Sequence, residues 1–383
     1  MRLIVIIVVA IFAVSTYATE QKETKISDVT TFVGNYIIND SNSISYKLIP
    51  FVNEDNIYVY SYLYSSDTNR VYYWIKSKNA YFEVPTPFVN RKYLSSDRLM
   101  FCRIYCDKIY TYNAVLSNIF LTISNLDSNE VGSRRKNDIF FSDMEFYNEN
   151  LIMMSSSNNG WNMDSISPVY AFVYDSEINL VRRKFFEIKG KKFLNYIPRN
   201  VIDFNEGFYA VSDITNYKIV IYDFEFNPVD TLIRNDHRFR EPDEFNEIQT
   251  DSTLNYNYIS KVMFIDSTRL FVSLHEYIPN DEGNATYRYF YDIWKKVDND
   301  WELEYHDLSS DRMSYDDLYD PNKQKTDGWV YAEDGYLITI ERIPFEITDD
   351  DKKLTFSEFL RKRDKHLWED KNTMYSVFIR KFK

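Results

Sequence analysis

Cysteine is nearly missing from this 383-residue chain, which holds only Cys102 and Cys106. In an extended strand the two α-carbons of FCRIYC would stand roughly 13 Å apart, against less than about 7 Å in a disulfide, so a bridge would need a turn. Two unbridged thiols are the expectation, although secretion would permit oxidation. A Cys-x-x-x-Cys pair without nearby histidines is also a poor tetrahedral metal signature. Histidine is equally sparse: His237, His275, His306 and His366 are dispersed, without the spacing of a zinc helix or finger. Packing and surface hydrogen bonds account for them, with His275-Glu276 the one pair placed to join a catalytic or metal cluster built from several strands. No G-x-S-x-G elbow, P-loop or dinucleotide fingerprint is present. Positive charge is in deficit, with 45 Lys and Arg against 58 Asp and Glu and a net charge of −13. That balance argues against recruitment by nucleic-acid phosphates or an anionic membrane, so no nucleic-acid partner is expected.

The opening MRLIVIIVVAIFAVSTYA combines a positive Arg2, an apolar run from Leu3 to Val14 and a small Ala18. This is the pattern of a secretory signal peptide over residues 1–18. The apolar run is short for the roughly 30 Å of bilayer hydrocarbon, and Thr19-Glu20-Gln21-Lys22-Glu23 is sharply polar. Cleavage would leave residues 19–383 in the periplasm or outside the cell, with no stable membrane span. The alternative is a chain tethered by an uncleaved amino-terminal segment.

Aromatic and β-branched residues are what this sequence has in quantity. Its 28 Phe and 33 Tyr accompany only eight Gly, and Tyr, Ile, Val and Thr cluster in short runs, so many short strands are expected. Six segments share one form, an apolar strand, an acidic or Asn-rich turn and a second apolar strand: 48–64, 99–115, 143–157, 200–214, 260–276 and 328–342. The first apolar residues after the turns are Ile57, Ile109, Leu151, Phe208, Leu270 and Tyr336. They recur about every 40 to 65 residues, which suits four-stranded blades with insertions. Outer hairpins follow at 71–85, 168–188, 218–233 and 288–308. The last repeat is short of strands after 336–343 and 374–382, so VTTFVGNYII at 29–38 is expected to supply its outer strand and join the chain ends.

The fold class is therefore all-β, a single six-bladed β-propeller domain over residues 19–383. Seven blades are the alternative if residues 25–47 form a sheet of their own. A capping-box pattern at Thr355-Phe356-Ser357-Glu358 predicts a small helical insertion over 355–368. Together the signal, the repeat spacing and IVIYDFEFNPVDTL at 219–232 resemble the exported bacterial six-bladed β-propeller family. The resemblance is strongest over 200–233 and diffuse over 48–383. It implies a propeller scaffold and extracellular recognition of a ligand or protein, and it transfers no catalytic residue.

Loops entering the innermost strands should gather Lys47, Arg98, Asp143, Arg199, Lys261 and Asp327 on one face, with Trp161 at its rim. Trp161 offers an aromatic surface and Arg199 a planar fork, so these two are the candidate ligand-binding residues. The expected partner is an exported glycan or protein. The alternative is a propeller glycoside hydrolase or polysaccharide lyase, with Asp143 and Asp327 as its catalytic pair. Turn roles account for Asp266 and for Asp298-Asn299-Asp300. No cofactor or metal is expected, the low alternative being a structural Ca²⁺ held by Asp311, Asp316, Asp317 and Asp320, which lack the ordered spacing of an EF-hand.

Overall fold

A computed structural model describes residues 24–40, 45–53, 56–63, 70–75, 80–85, 97–106, 108–115, 118–125, 131–137, 141, 143–155, 169–189, 201–239, 257–279, 285–298, 300–309, 329–342 and 373–383. A helical turn at Ile26–Val29 leads into β1 (Thr30–Asp40). Sheet I follows, formed by β2 (Ser45–Asn53), β3 (Asn56–Leu63), β4 (Arg70–Ile75) and β5 (Ala80–Pro85). Sheet II holds β6 (Asp97–Tyr105), β7 (Lys108–Val115), β8 (Asn118–Asn125) and β9 (Val131–Asn137). Sheet III holds β10 (Asp143–Tyr147), β11 (Asn150–Ser155), β12 (Tyr170–Tyr174) and β13 (Leu180–Phe185). Sheet IV holds β14 (Ile202–Asn205), β15 (Phe208–Ser212), β16 (Lys218–Asp223) and β17 (Pro228–Ile233). Sheet V holds β18 (Tyr258–Asp266), β19 (Arg269–Pro279), β20 (Ala285–Val297) and β21 (Asp300–Ser309). In sheet VI, β22 (Trp329–Glu333), β23 (Tyr336–Arg342) and β24 (Thr373–Phe382) are completed by β1 on the outer edge of β24. The described residues among 25–47 form no sheet of their own, because β1 joins sheet VI and Ser45 already opens β2.

All six sheets are antiparallel, I to V as meanders and VI as a three-stranded meander with β1 added, and the first strand of one lies against that of a neighbour: β2 on β6 and β22, β6 on β10, β14 on β18, and β18 on β22. Apolar clusters fill the gaps in the same order. Phe51, Tyr112, Met144 and Phe172 link sheets I to III, and Ile152, Val173, Phe204 and Tyr209 link III to IV. Ile219, Val262 and Trp294 link IV to V, and Phe271, Leu337 and Phe382 link V to VI. Val52, Ile57, Ile338 and Val377 then pack sheet VI back on sheet I. The arrangement is a β-propeller, with both faces of most sheets covered, which is why the second strands read as continuous apolar runs such as LIMM at 151–154.

The outer hairpins of sheets III and IV share a turn, Asp175-Ser176-Glu177-Ile178-Asn179 and Asp223-Phe224-Glu225-Phe226-Asn227. In each, the Asp Oδ1 accepts the amide of the Asn four residues on, at 2.8 Å. Ile178 and Phe226 take left-handed backbone, with φ of 64° and 67°. Such a conformation is strained for side chains of this bulk, and burial of both in the clusters between sheets offsets it. Cys106, in the β6–β7 turn, is an exposed free thiol. The signal segment 1–18 and the helix expected at 355–368 lie outside the described residues.

Candidate functional site

Phe51, Arg103, Glu145 and Asp203 occupy one register on the first strands of sheets I to IV. They pair with Tyr58, Tyr110, Ile152 and Ala210, so each lies two residues before the end of its strand. Alternation in a strand sends equivalent positions the same way, and here they reach toward the next sheet. The Arg103 guanidinium lies 5.2 Å from the centre of the Phe51 ring. Its Nε donates to Glu145 Oε1 at 2.9 Å and its Nη2 to Asp143 Oδ1 at 3.0 Å. Asp203 Oδ2 accepts the Phe264 amide of sheet V at 2.6 Å. In sheet V, Lys261 lies two positions earlier than this register, opposite Ser273, its Nζ donating to the Val330 carbonyl of sheet VI at 2.6 Å and lying over the Tyr331 ring.

Among the described residues, negative charge exceeds positive at this centre. Arg103 is only 7% exposed, and the half-buried Asp143, Glu145, Asp203 and Glu333 surround it. Burial, reinforced by Asp143 and opposed by Arg103, pushes the Glu145 carboxyl up to about 7. Burial also holds Asp203 well above the usual carboxylate range, with Asp143 and Glu145 adding to the effect against the Phe264 hydrogen bond. Glu333 is raised by burial first, then by Glu145, Asp334 and Asp143, against the pull of Arg103. A carboxyl held at about 7, as that of Glu145 is, can both donate and accept hydrogen bonds near neutral pH.

A second polar network fastens sheet IV to sheet V. Arg234 and Arg238, just past β17, face Asp236, Asp292 and Asp307. Asp292 is fully buried and accepts from Arg234 Nη1 at 2.8 and 2.9 Å, from Tyr217 Oη at 2.7 Å and from the Asp307 amide at 2.8 Å. The β20–β21 pairing slips between Tyr291 and Ile293, and Asp307, with φ of 52°, turns its carboxylate to both arginines. Against the upward push of burial, the hydrogen bonds from Arg234 and Arg238 hold Asp307 down at about 2. Its groups are paired with one another, which makes this network a brace between sheets.

Of the candidates read from sequence, Asp143 is described: it opens β10 and is committed to Arg103 and to the Met144 amide at 2.8 Å. Trp161, Arg199 and Asp327 lie outside the described residues, as do Asp311 to Asp320. His275 Nδ1 lies 2.5 Å from Tyr258 Oη, and its ring packs on Tyr258 and Tyr289. Asp266 serves its turn, accepting from the Thr268 amide and hydroxyl at 2.9 and 2.8 Å. Among the described residues no group of three or more His, Cys, Asp or Glu side chains is arranged to hold a metal ion, and no helix is long and apolar enough to cross a membrane. Sequence reasoning missed Arg103, Glu145, Asp203 and Glu333. The signal for three of them was a charge set among apolar residues of a first strand, alone in FCRIY and VIDFN and beside Asp143 in DMEFY.

No family model matches the chain, and no curated protein matches its sequence. Solved structures align with it along most of its length. A Bacteroides fragilis protein described as exported aligns with a TM-score of 0.48 and 13% identity, over 94% of this chain and 98% of its own. A DUF4221 family member from Bacteroides vulgatus aligns with a TM-score of 0.48 and 9% identity, over 95% of this chain and 100% of its own.

Proposed function

We propose that residues 19–383 form one closed six-bladed domain, exported behind a cleaved signal, whose face around the ring axis recognises a glycan or a protein outside the cytoplasm without transforming it. The observation that carries this reading is the run of Arg103, Glu145 and Asp203 at one register of three successive first strands. Enclosing charge costs stability, and packing alone is satisfied by apolar groups, as Phe51 in sheet I and Tyr331 in sheet VI demonstrate at the matching position. A polar axis retained at that cost is suited to recognition. Carboxyls able to donate and accept match a hydroxyl-rich ligand better than a polyanion, which the net charge of −13 would repel.

Trp161 and Arg199 are the proposed contacts at the rim of the same face. The hydrolase or lyase alternative asks for a free carboxylate on Asp143 to work with Asp327. Asp143 is instead held by Arg103 and its own strand, so binding is preferred. Purified protein screened against glycans and exported proteins should yield a ligand whose affinity drops about tenfold or more, some 1.4 kcal/mol per decade, in the Trp161→Ala/Arg199→Ala variant. Unchanged affinity in a folded double variant would reject this surface.

A further inference from the structure

We propose that the carboxyl groups gathered on the ring axis form a proton-dependent lock, which holds the first strands of sheets II, III, IV and VI together when protonated and loosens them when ionised. The geometry is the basis. Asp143 Oδ1 and Glu145 Oε1 lie 3.0 and 2.9 Å from the same Arg103 nitrogen, Nη2. Asp203 stands at the Glu145 register one sheet further on, and Glu333 ends the first strand of sheet VI.

Among the described residues, the groups facing this centre can be named sheet by sheet. Sheet I gives the apolar Phe51 and sheet II gives Arg103. Sheet III gives Asp143 and Glu145, sheet IV gives Asp203, and sheet V gives the Phe264 amide. Sheet VI gives Glu333 and the exposed Asp334. Lys261 is turned onto the Val330 carbonyl and the Tyr331 ring. Among the described residues, Arg103 thus faces carboxyls of sheets III and VI, with Asp203 of sheet IV close to the first, and full ionisation leaves like charges facing one another where water is scarce.

The sign follows from proton binding. Glu145, Asp203 and Glu333 hold protons more tightly in the folded protein than in the unfolded chain. The folded state therefore binds more protons from the ordinary carboxylate range up to about 7, the Glu145 value, and stability falls as pH rises through that window. This lock is independent of whether the face binds a glycan.

Thermal unfolding of the whole protein between acid and mildly alkaline pH tests it, beside the Glu145→Gln/Asp203→Asn/Glu333→Gln variant. The wild-type Tm should drop by roughly 3–6 °C more across the window than that of the variant. Equal slopes would overturn the lock. Should the triple variant fail to fold, infrared titration of the wild type and Glu145→Gln decides. A protonated-carboxyl band persisting to near-neutral pH, and reduced by Glu145→Gln, is expected; a band lost entirely in the ordinary carboxylate range refutes the proposal.

Discussion

Gly207 shows how a single residue ties two sheets. It lies in the β14–β15 turn with φ of +90°, and a Cβ there would come within 2.9 Å of Tyr147 Oη. Tyr147 belongs to sheet III and packs edge-on against Phe204 and Phe224 of sheet IV, with centroids 5.8 and 5.1 Å apart. Gly207→Ala therefore meets left-handed backbone and a rigid ring together, while Gly335, with φ of +77°, has nothing within 4 Å of its Cβ position. A loss of about 1–3 kcal/mol is expected for Gly207→Ala, clearly more than for Gly335→Ala, by chemical denaturation. The Asn-Glu-Gly turn was legible in the sequence, since its residues favour such backbone. The Tyr147 contact was not, because it joins positions that only the stacking of sheets brings together. The same limit hid Arg103 with Asp143 and Glu145, and it leaves Trp161, Arg199 and Asp327 as proposals.

Between elements, the inner hairpins were the most readable part. Ile57, Ile109, Leu151, Phe208, Leu270 and Tyr336 are all the first or second residues of second strands and pair back across their turns. An apolar run, a turn residue and a second run are local features, so short-range chemistry decides them. The brace between sheets IV and V was not readable, because Arg234, Asp292 and Asp307 come from three elements and Asp307 reaches its place only through a pairing slip. Arg234→Ala would leave the fully buried Asp292 without its cation. Removing one partner of a buried pair costs about 3–5 kcal/mol. Urea unfolding should show a loss of that size, with more limited damage from Arg238→Ala, whose carboxylate partners Asp236 and Asp307 also bond to Arg234.

For the whole molecule, closure rests on β1 lying along β24, from Thr30 opposite Phe382 to Asp40 opposite Thr373. Arg269 of sheet V adds a hydrogen bond to the Lys383 carbonyl at 2.9 Å. Removing residues 19–45 would bare the edge of β24 and strip Ile26 and Val29 from the cluster between sheets V and VI. The shortened protein should unfold well below the full chain and self-associate through the open edge, which calorimetry and light scattering would register. An unchanged Tm in a monomeric deletion variant would show that closure is carried elsewhere. The need for an added outer strand could be read from the shortage in the last repeat.

That pairing also dictates an order of events in time. Thr30 and its partner Phe382 lie about 350 residues apart, so β1 cannot take its place on β24 until that much more of the chain has been made. A contact this distant in sequence is slow to form and late to be rewarded. Pairing of β1 with β24 therefore follows the synthesis of every sheet that lies between them in sequence.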